Sequence, residues 1–497
     1  MSKVKEAYGE IESVVGEDFV SDKDFMKAAY SRNVDPAFPD RWADIIVRPE
    51  TTEEVSEIVK VANKYKLRMV PRGGGADLVG GSVTDSGILI DLTRMNKLEE
   101  FNKDDYYIIV GVGITWGDLL SQIIPEGYTT GVTGPGSGFS ATIGGGLSNS
   151  TAGGGSTKYG LVPDNCLGLE VVLPNPEGTI IRTGSWANKY AKPFCRYGVS
   201  PDFSGIFLGD VGTMSIKVKA AMRIYREHPY KANRVFVLKK YDYNKVYLLA
   251  KKIRYEIPDG LLGLSSFPPF YFEQFKNVPQ FKDTKGPGIT VTLEAMELEI
   301  LEMYIKTLEE IMKEDTVMVP AAPGANVKPN LKAAFHYFQA GISPIPGKIA
   351  MATCHKVPIS TLGKIHDENV DWNNRHADDI PGAVTKGIFE ATQYLLPNGN
   401  MVVLGGVAGE NTDEWREKNM KLWHSKIRTQ VRYGGAHYWL GESISQAVAE
   451  AGAYTPEYEQ FFRDMKKTVD PNFLLSPNKF HLHTYDSKFA DYYTEPD

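Results

Sequence analysis

Two stretches of this 497-residue sequence carry glycine at a density that suggests close approach of the backbone to a ligand: PRGGGADLVGG (71–81) and TGPGSGFSATIGGGLSNSTAGGGSTKYG (133–160). Glycine has no Cβ and tolerates positive φ, so successive N–H groups can close around an anion. A diphosphate suits such loops, because several oriented N–H dipoles share its charge. Arg72 stands just ahead of three glycines, and its planar guanidinium matches phosphate geometry. No GxxxxGK[ST] run is present, which sets a Walker A loop aside. Gly144, Gly145 and Gly146 are consecutive, and no acidic residue follows at the spacing of a dinucleotide fingerprint. Taken singly, each loop is explained equally well by tight turns.

The elements that would hold these loops are legible around them. Thr51 with Glu54 fits a capping box, and Val55, Ile58, Val59 and Ala62 follow at helical spacing. Leu67–Pro71, Ile88–Leu92 and Tyr107–Val112 read as strands, with a helix from Thr115 to Ile124. This is a βαβ-like opening of an α+β or α/β domain. Leu167–Leu173 and Thr179–Arg182 read as strands joined by the turn PNPEG. Alternating residues then run up to Tyr225. Beyond about residue 226 glycine thins out and helical patterns lengthen, as in Glu294–Met312 and Asp413–Thr429. Residues 1–40 read as a helical lead-in.

Composition bounds the function. Apolar residues make up 42% and charged residues 24%, so a sizeable core can form. The net charge of −7 argues against nucleic acid or an anionic membrane as the main partner. No apolar run approaches a membrane span. Cys166, Cys195 and Cys354 lie far apart, too few for an iron–sulfur cluster and without a CxxC pair. A soluble, cytoplasmic protein is the expectation.

The order of the segments is more specific than either loop. VRPETTEEVSEIVKVANKYKLRMVPRGGGADLVGG, SGILIDLTRMNKL, TIGGGLSNSTAGGGSTKYG and IFLGDVGTMSI together resemble the FAD-binding domain of the vanillyl-alcohol oxidase/p-cresol methylhydroxylase superfamily. The likeness is strongest to the glycolate oxidase and D-lactate dehydrogenase branch. VDPNFLLSPNKF (469–480) is similar to the closing segment of that family. The resemblance implies an α+β fold: a two-subdomain FAD-binding domain over 1–225, a cap domain with an antiparallel sheet and flanking helices over 226–450, and a segment 451–497 returning to the first domain. It implies FAD contacts at Arg72, Gly73, Gly74, Gly75, Ala76, Gly80, Pro135, Thr142, Gly145, Ser148 and Gly160, a backbone contact at Ile216, and Lys479 reaching the cofactor. Members with covalent flavin carry His in the first loop and, when doubly linked, Cys in the second. This chain has Ala76 and Ser140 there, which implies FAD that is dissociable at these two points and leaves attachment through a cap-domain residue open.

The flavin supplies redox chemistry, so the second half must supply the substrate pocket and a proton-handling group. Among nine histidines His437 leads. It lies in RYGGAHYWLGE (432–442), where Gly434 and Gly435 permit close backbone approach. The hydroxy-acid branch carries an active-site His in the equivalent Gly-Glu-His-Gly, although Ala436 and Tyr438 replace its Glu and second Gly. His355, in KIAMATCHKVPIS (348–360), is second. It matches one of the two histidines that the metal-dependent branch places in H-x-GDGN-x-H. With that run incomplete and no Glu beside His437, no metal is expected. Arg432 suits a substrate carboxylate and Tyr438 a hydroxyl or phenolate. Ordinary packing competes with each of these roles. His481 with His483, and Asp378 with Asp379, read as solvated segments.

These residues point to hydride transfer from a small hydroxylated substrate to flavin, such as D-lactate or glycolate, with electrons passed to a separate acceptor. Oxidation of a para-substituted phenol is the alternative, and a flavoprotein subunit within a larger electron-transfer complex is a third reading. A homo- or hetero-oligomer is compatible with all three.

Overall fold

Thr51 and Glu54 close the expected capping box. Thr51 Oγ1 accepts from Glu54 N at 3.1 Å, and Glu54 Oε2 accepts from Thr51 N at 3.4 Å. The helix so started, Thr52–Tyr65, ends where Lys66 turns left-handed at φ 54°. Its Val55, Ile58, Val59 and Ala62 are fully buried in one cluster with Ile45, Val47, Ile88 and Ile90. Those four belong to a sheet ordered Val20–Ser21, Ile45–Val47, Ile88–Asp91, Met69–Arg72. Its last three strands are parallel, as a helical crossover requires. Arg72 therefore ends a parallel strand, and the first glycine loop springs from it.

The computed structural model describes residues 3–31, 41–269, 278–282, 284–319, 348–376, 388–410, 412–438, 440–452, 454–477 and 479–480. Asp378, Asp379, His481 and His483 lie outside them. The lead-in is helical over Lys3–Val15 and Asp24–Ser31, and Val20–Ser21 pairs with Ile46–Val47 at the sheet edge.

A five-stranded antiparallel sheet follows, ordered Leu98–Asn102, Tyr107–Gly111, Ile216–Arg223, Cys166–Val172, Ile180–Arg182. Gly178, at φ 56°, makes the turn between its last two strands. The second glycine loop surrounds the short helix Ile143–Ser148, capped by Thr142 Oγ1 accepting from Gly145 N at 3.3 Å.

From Tyr230 the chain builds a third sheet. Among the described residues its order is Thr316–Met318, Tyr230–Leu238, Gly288–Ala295, Leu261–Phe267, Ile388–Leu395, Asn400–Glu410, Lys348–Pro358, Ala436–His437, and every pairing is antiparallel. Helices Tyr243–Glu256, Leu298–Met312 and Leu362–Arg375 bury their apolar faces against it. The helix expected from Glu294 begins only at Leu298. Glu294 is instead the second-last residue of strand Gly288–Ala295, whose alternation the helix-forming glutamates obscured.

Helices Asp413–Arg432 and Glu442–Glu450 share a cluster with Val79 and Val211, beside the glycine loops. Leu474 then returns to the first sheet. Met69 N donates to Leu474 O and Ser476 N donates to Met69 O, both at 2.8 Å. The architecture is α+β. Among the described residues no helix is long and apolar enough to cross a membrane.

Candidate cofactor and substrate site

A cavity of about 290 Å³ runs from Arg72 past both glycine loops to the third sheet. Arg72, Gly73, Gly74, Gly75, Ala76, Pro135, Thr142, Gly145 and Ser148 line it, together with Tyr438. The loops meet at Gly74, where a Cβ would lie 1.6 Å from Ser140 O. Gly75 takes φ 63°, and a Cβ there would fall 2.3 Å from Arg72 Nη2. The bare backbone thus lets the guanidinium lie along the loop. Arg72 is 8% exposed and donates through Nη1 to Ser82 O at 3.2 Å. Its other donors meet no protein acceptor among the described residues. Burial draws the guanidinium below its ordinary pKa, while the Asp77 and Asp91 charges and Tyr30 oppose that. A buried, under-coordinated guanidinium beside open backbone fits a diphosphate.

A layer of buried ions supports the loops from behind. Lys217 lines the cavity and donates to Asp210 Oδ1 at 2.5 Å. Asp210 also accepts from Gly212 N at 3.1 Å and Met214 N at 3.2 Å. Lys466 donates to Thr213 O at 2.6 Å, Asp470 Oδ2 at 2.6 Å and Leu475 O at 3.0 Å. Lys479, expected to reach the cofactor, donates to Gly81 O at 2.6 Å and Val211 O at 3.2 Å. Both carbonyls belong to cavity-lining residues, so Lys479 ties the end of the first glycine loop to the turn at Val211. Burial holds its amine down to about 8.

Three other expected contacts sit off the cavity wall. Gly80, at φ 68°, makes the turn before Gly81, which does line the cavity. Ile216 is fully buried in the core, while its neighbours Ser215 and Lys217 face the cavity, as strand alternation dictates. Gly160 ends the helix Ser156–Tyr159 at φ 79°, and a Cβ there would meet Asp164 Oδ2 at 2.4 Å. Its place in the chain is a packing requirement.

The third sheet presents one face of strand Lys348–Pro358 to the cavity and the other to its helices. Cys354 and Val402 line the cavity and cluster with Ala152 and Tyr438. Thr353 and His355 take the opposite face. Thr353 Oγ1 accepts from Gln430 Nε2 at 3.5 Å, and His355 is fully buried beside Gly435. His437 pairs in register with His355 and therefore shares its face, so both imidazoles lie behind the sheet. Tyr438, one residue on, turns to the cavity. It is 7% exposed, and its hydroxyl oxygen accepts from Ala152 N at 2.8 Å. Arg432 ends the helix Asp413–Arg432 on the surface, donating to Ala451 O at 3.4 Å away from the cavity. Burial pushes the Cys354 thiol well up. Among the described residues no group of three or more His, Cys, Asp or Glu is placed to hold a metal ion.

Sequence comparison places an FAD binding domain at residues 43–184. The chain is 29% identical over 221 residues to a glycolate oxidase subunit GlcD of Bacillus subtilis, covering 44% of this chain and 45% of that one. It is 33% identical over 212 residues to a mitochondrial D-lactate dehydrogenase [cytochrome] 1 of Saccharomyces cerevisiae, covering 42% and 34%. It thus spans under half the length of these curated relatives. In fold the likeness extends over nearly the whole chain: p-cresol methylhydroxylase with substrate bound superposes at a TM-score of 0.77 and 16% identity over 96% of both chains. Arg72 and the two glycine loops thereby fall within an FAD binding domain, in a chain that has the fold of p-cresol methylhydroxylase.

Proposed function

We propose that this protein is an FAD-dependent dehydrogenase of a small 2-hydroxy acid, such as D-lactate or glycolate, and that its electrons leave to a separate acceptor. The observation carrying this reading is one cavity that joins Arg72, both glycine loops and the Tyr438 face of the third sheet. Bound FAD would supply the redox step by accepting hydride. Arg72 and the backbone of the two loops hold the diphosphate. Tyr438 would act as a phenolate, its Oη taking the proton of the substrate hydroxyl to become the neutral phenol as the hydride leaves. The Ala152 N–H it already accepts stabilises the charged form of that oxygen. Cys354, Val402 and Ala152 wall the reacting carbon from water.

Ala76 and Ser140 stand where linked flavins are attached, which supports dissociable FAD. Three free thiols favour a reducing, cytoplasmic setting. The change of sheet between Arg226 and Tyr230 supports an FAD-binding domain over 1–225 and a cap over 226–450, with 451–497 returning. Anaerobic addition of D-lactate, glycolate or a 4-alkylphenol tests the assignment. Bleaching of the flavin band by a hydroxy acid supports it, bleaching by the phenol alone replaces it with phenol oxidation, and bleaching by none refutes it.

A further inference from the structure

We propose that Lys356 anchors the substrate through a carboxylate, so that the site selects small organic anions over neutral alcohols of the same size. The inference rests on the cavity being the flavin–substrate site and names the chemistry that its cap end recognises. Lys356 pairs in register with Val402, which lines the cavity, and stands two residues beyond Cys354, which lines it too. Period-two alternation puts all three on one face. Its ammonium lies over the ring of Tyr438, the proposed proton acceptor, 5.0 Å from the ring centroid.

What sets Lys356 apart is its missing counter-ion. Lys217 is paired with Asp210, Lys466 with Asp470, and Lys479 with two carbonyls. Lys356 is half-buried, yet no hydrogen bond or ion pair reaches its ammonium among the described residues. Asp164, the carboxylate whose charge it senses, spends Oδ2 on Leu161 N at 2.7 Å. Burial accordingly pulls the amine below its ordinary pKa. A partly desolvated ammonium without a partner is costly, and an arriving anion offsets that cost. In a wall of Cys354, Val402 and Ala152 the attraction is little screened. A 2-hydroxy acid meets the geometry, because its carboxylate is one bond from the carbon whose hydroxyl faces Tyr438.

The test is titration of the FAD-loaded protein with oxalate, which cannot be oxidised by hydride loss, and with its uncharged diamide oxamide. Perturbation of the flavin absorption band reports each Kd. Lys356→Met is expected to weaken oxalate by about 30-fold or more, as losing a desolvated charge partner does, and to leave oxamide unchanged. Lys356→Arg is expected to restore most of the oxalate affinity. Equal weakening of both ligands would assign Lys356 a packing role and overturn the proposal. So would oxalate binding that ignores the substitution, or wild-type protein that binds no oxalate. If oxalate binding depends on Lys356 while no hydroxy acid bleaches the flavin, the anion anchor stands and the hydroxy-acid assignment falls.

Discussion

Gly74→Ala is the sharpest probe of the two-loop cradle. The added Cβ would sit 1.6 Å from Ser140 O and 2.7 Å from Ser140 C. Both are backbone atoms, so no side chain can swing away. Restoring an ordinary 3.4 Å contact requires the loops to part by about 1.8 Å. Overpacking of this kind costs roughly 1–3 kcal/mol of stability. The larger loss should be in FAD affinity, because N–H donors on both loops must reach one diphosphate. Losing a single hydrogen bond to a charged group, about 1.5–3 kcal/mol, corresponds to roughly 10- to 100-fold weaker binding. Flavin fluorescence quenching on titration into apoprotein measures the affinity, and a thermal melt measures the stability. Gly9→Ala is the control: it lies within helix Lys3–Val15 with nothing within 4 Å of its added Cβ. That change should stabilise by about 0.5–1 kcal/mol and leave FAD affinity alone. A Gly74→Ala protein that binds FAD like wild type would show that the loops do not act together.

Tyr438→Phe should slow anaerobic flavin reduction by about 10²-fold or more while FAD content is retained, whereas His437→Ala should change it by less than about threefold. Stopped-flow absorbance separates the two outcomes, and the reverse ranking would put the base back on His437. Lys479→Met should destabilise by about 2–4 kcal/mol in urea titration, since the carbonyls of Gly81 and Val211 lose a buried donor. The folded amine titrates near 8, below the ordinary value of 10.5, so between these values the unfolded chain holds more protons. The wild type's contribution from Lys479 therefore rises with pH across that window, and its stability advantage over Lys479→Met should widen from pH 8 upward. Glu294 is pushed up by burial, but His228, Lys158 and their hydrogen bonds outweigh this and hold it at about 2. Its stabilisation is full above 4.5 and lost as pH falls through 2. Glu294→Gln should cost about 3–5 kcal/mol near neutral pH, the scale of a broken buried ion pair, and flatten the acid-denaturation curve.

The features legible in the sequence were those settled within a few residues of chain. Thr51 and Glu54 meet across one helical turn, and the glycine runs declare their loops without any knowledge of partners. The site's cap end depended on register instead. Nothing local in RYGGAHYWLGE says whether His437 or Tyr438 faces the cavity, because that is decided by pairing with Lys348–Pro358 and by the helices on its far side. A one-residue change of phase moves the side chain that faces the cavity from an imidazole to a phenol. Lys479 was recognisable as a tail residue near the cofactor, but its carbonyl partners come from about 270 and 400 positions earlier. Lys356 escaped notice because a lone lysine in an apolar run has meaning only once its lack of a counter-ion is seen.

The threading of residues 466–479 beneath the glycine loops carries a consequence for biosynthesis. The first glycine loop and the turn at 210–213 are translated long before the lysines that brace them, so a nascent chain offers only a half-built nest. Flavin loading must then wait until Lys466 and Lys479 have left the ribosome, and a product terminated ahead of them would be released without its colour.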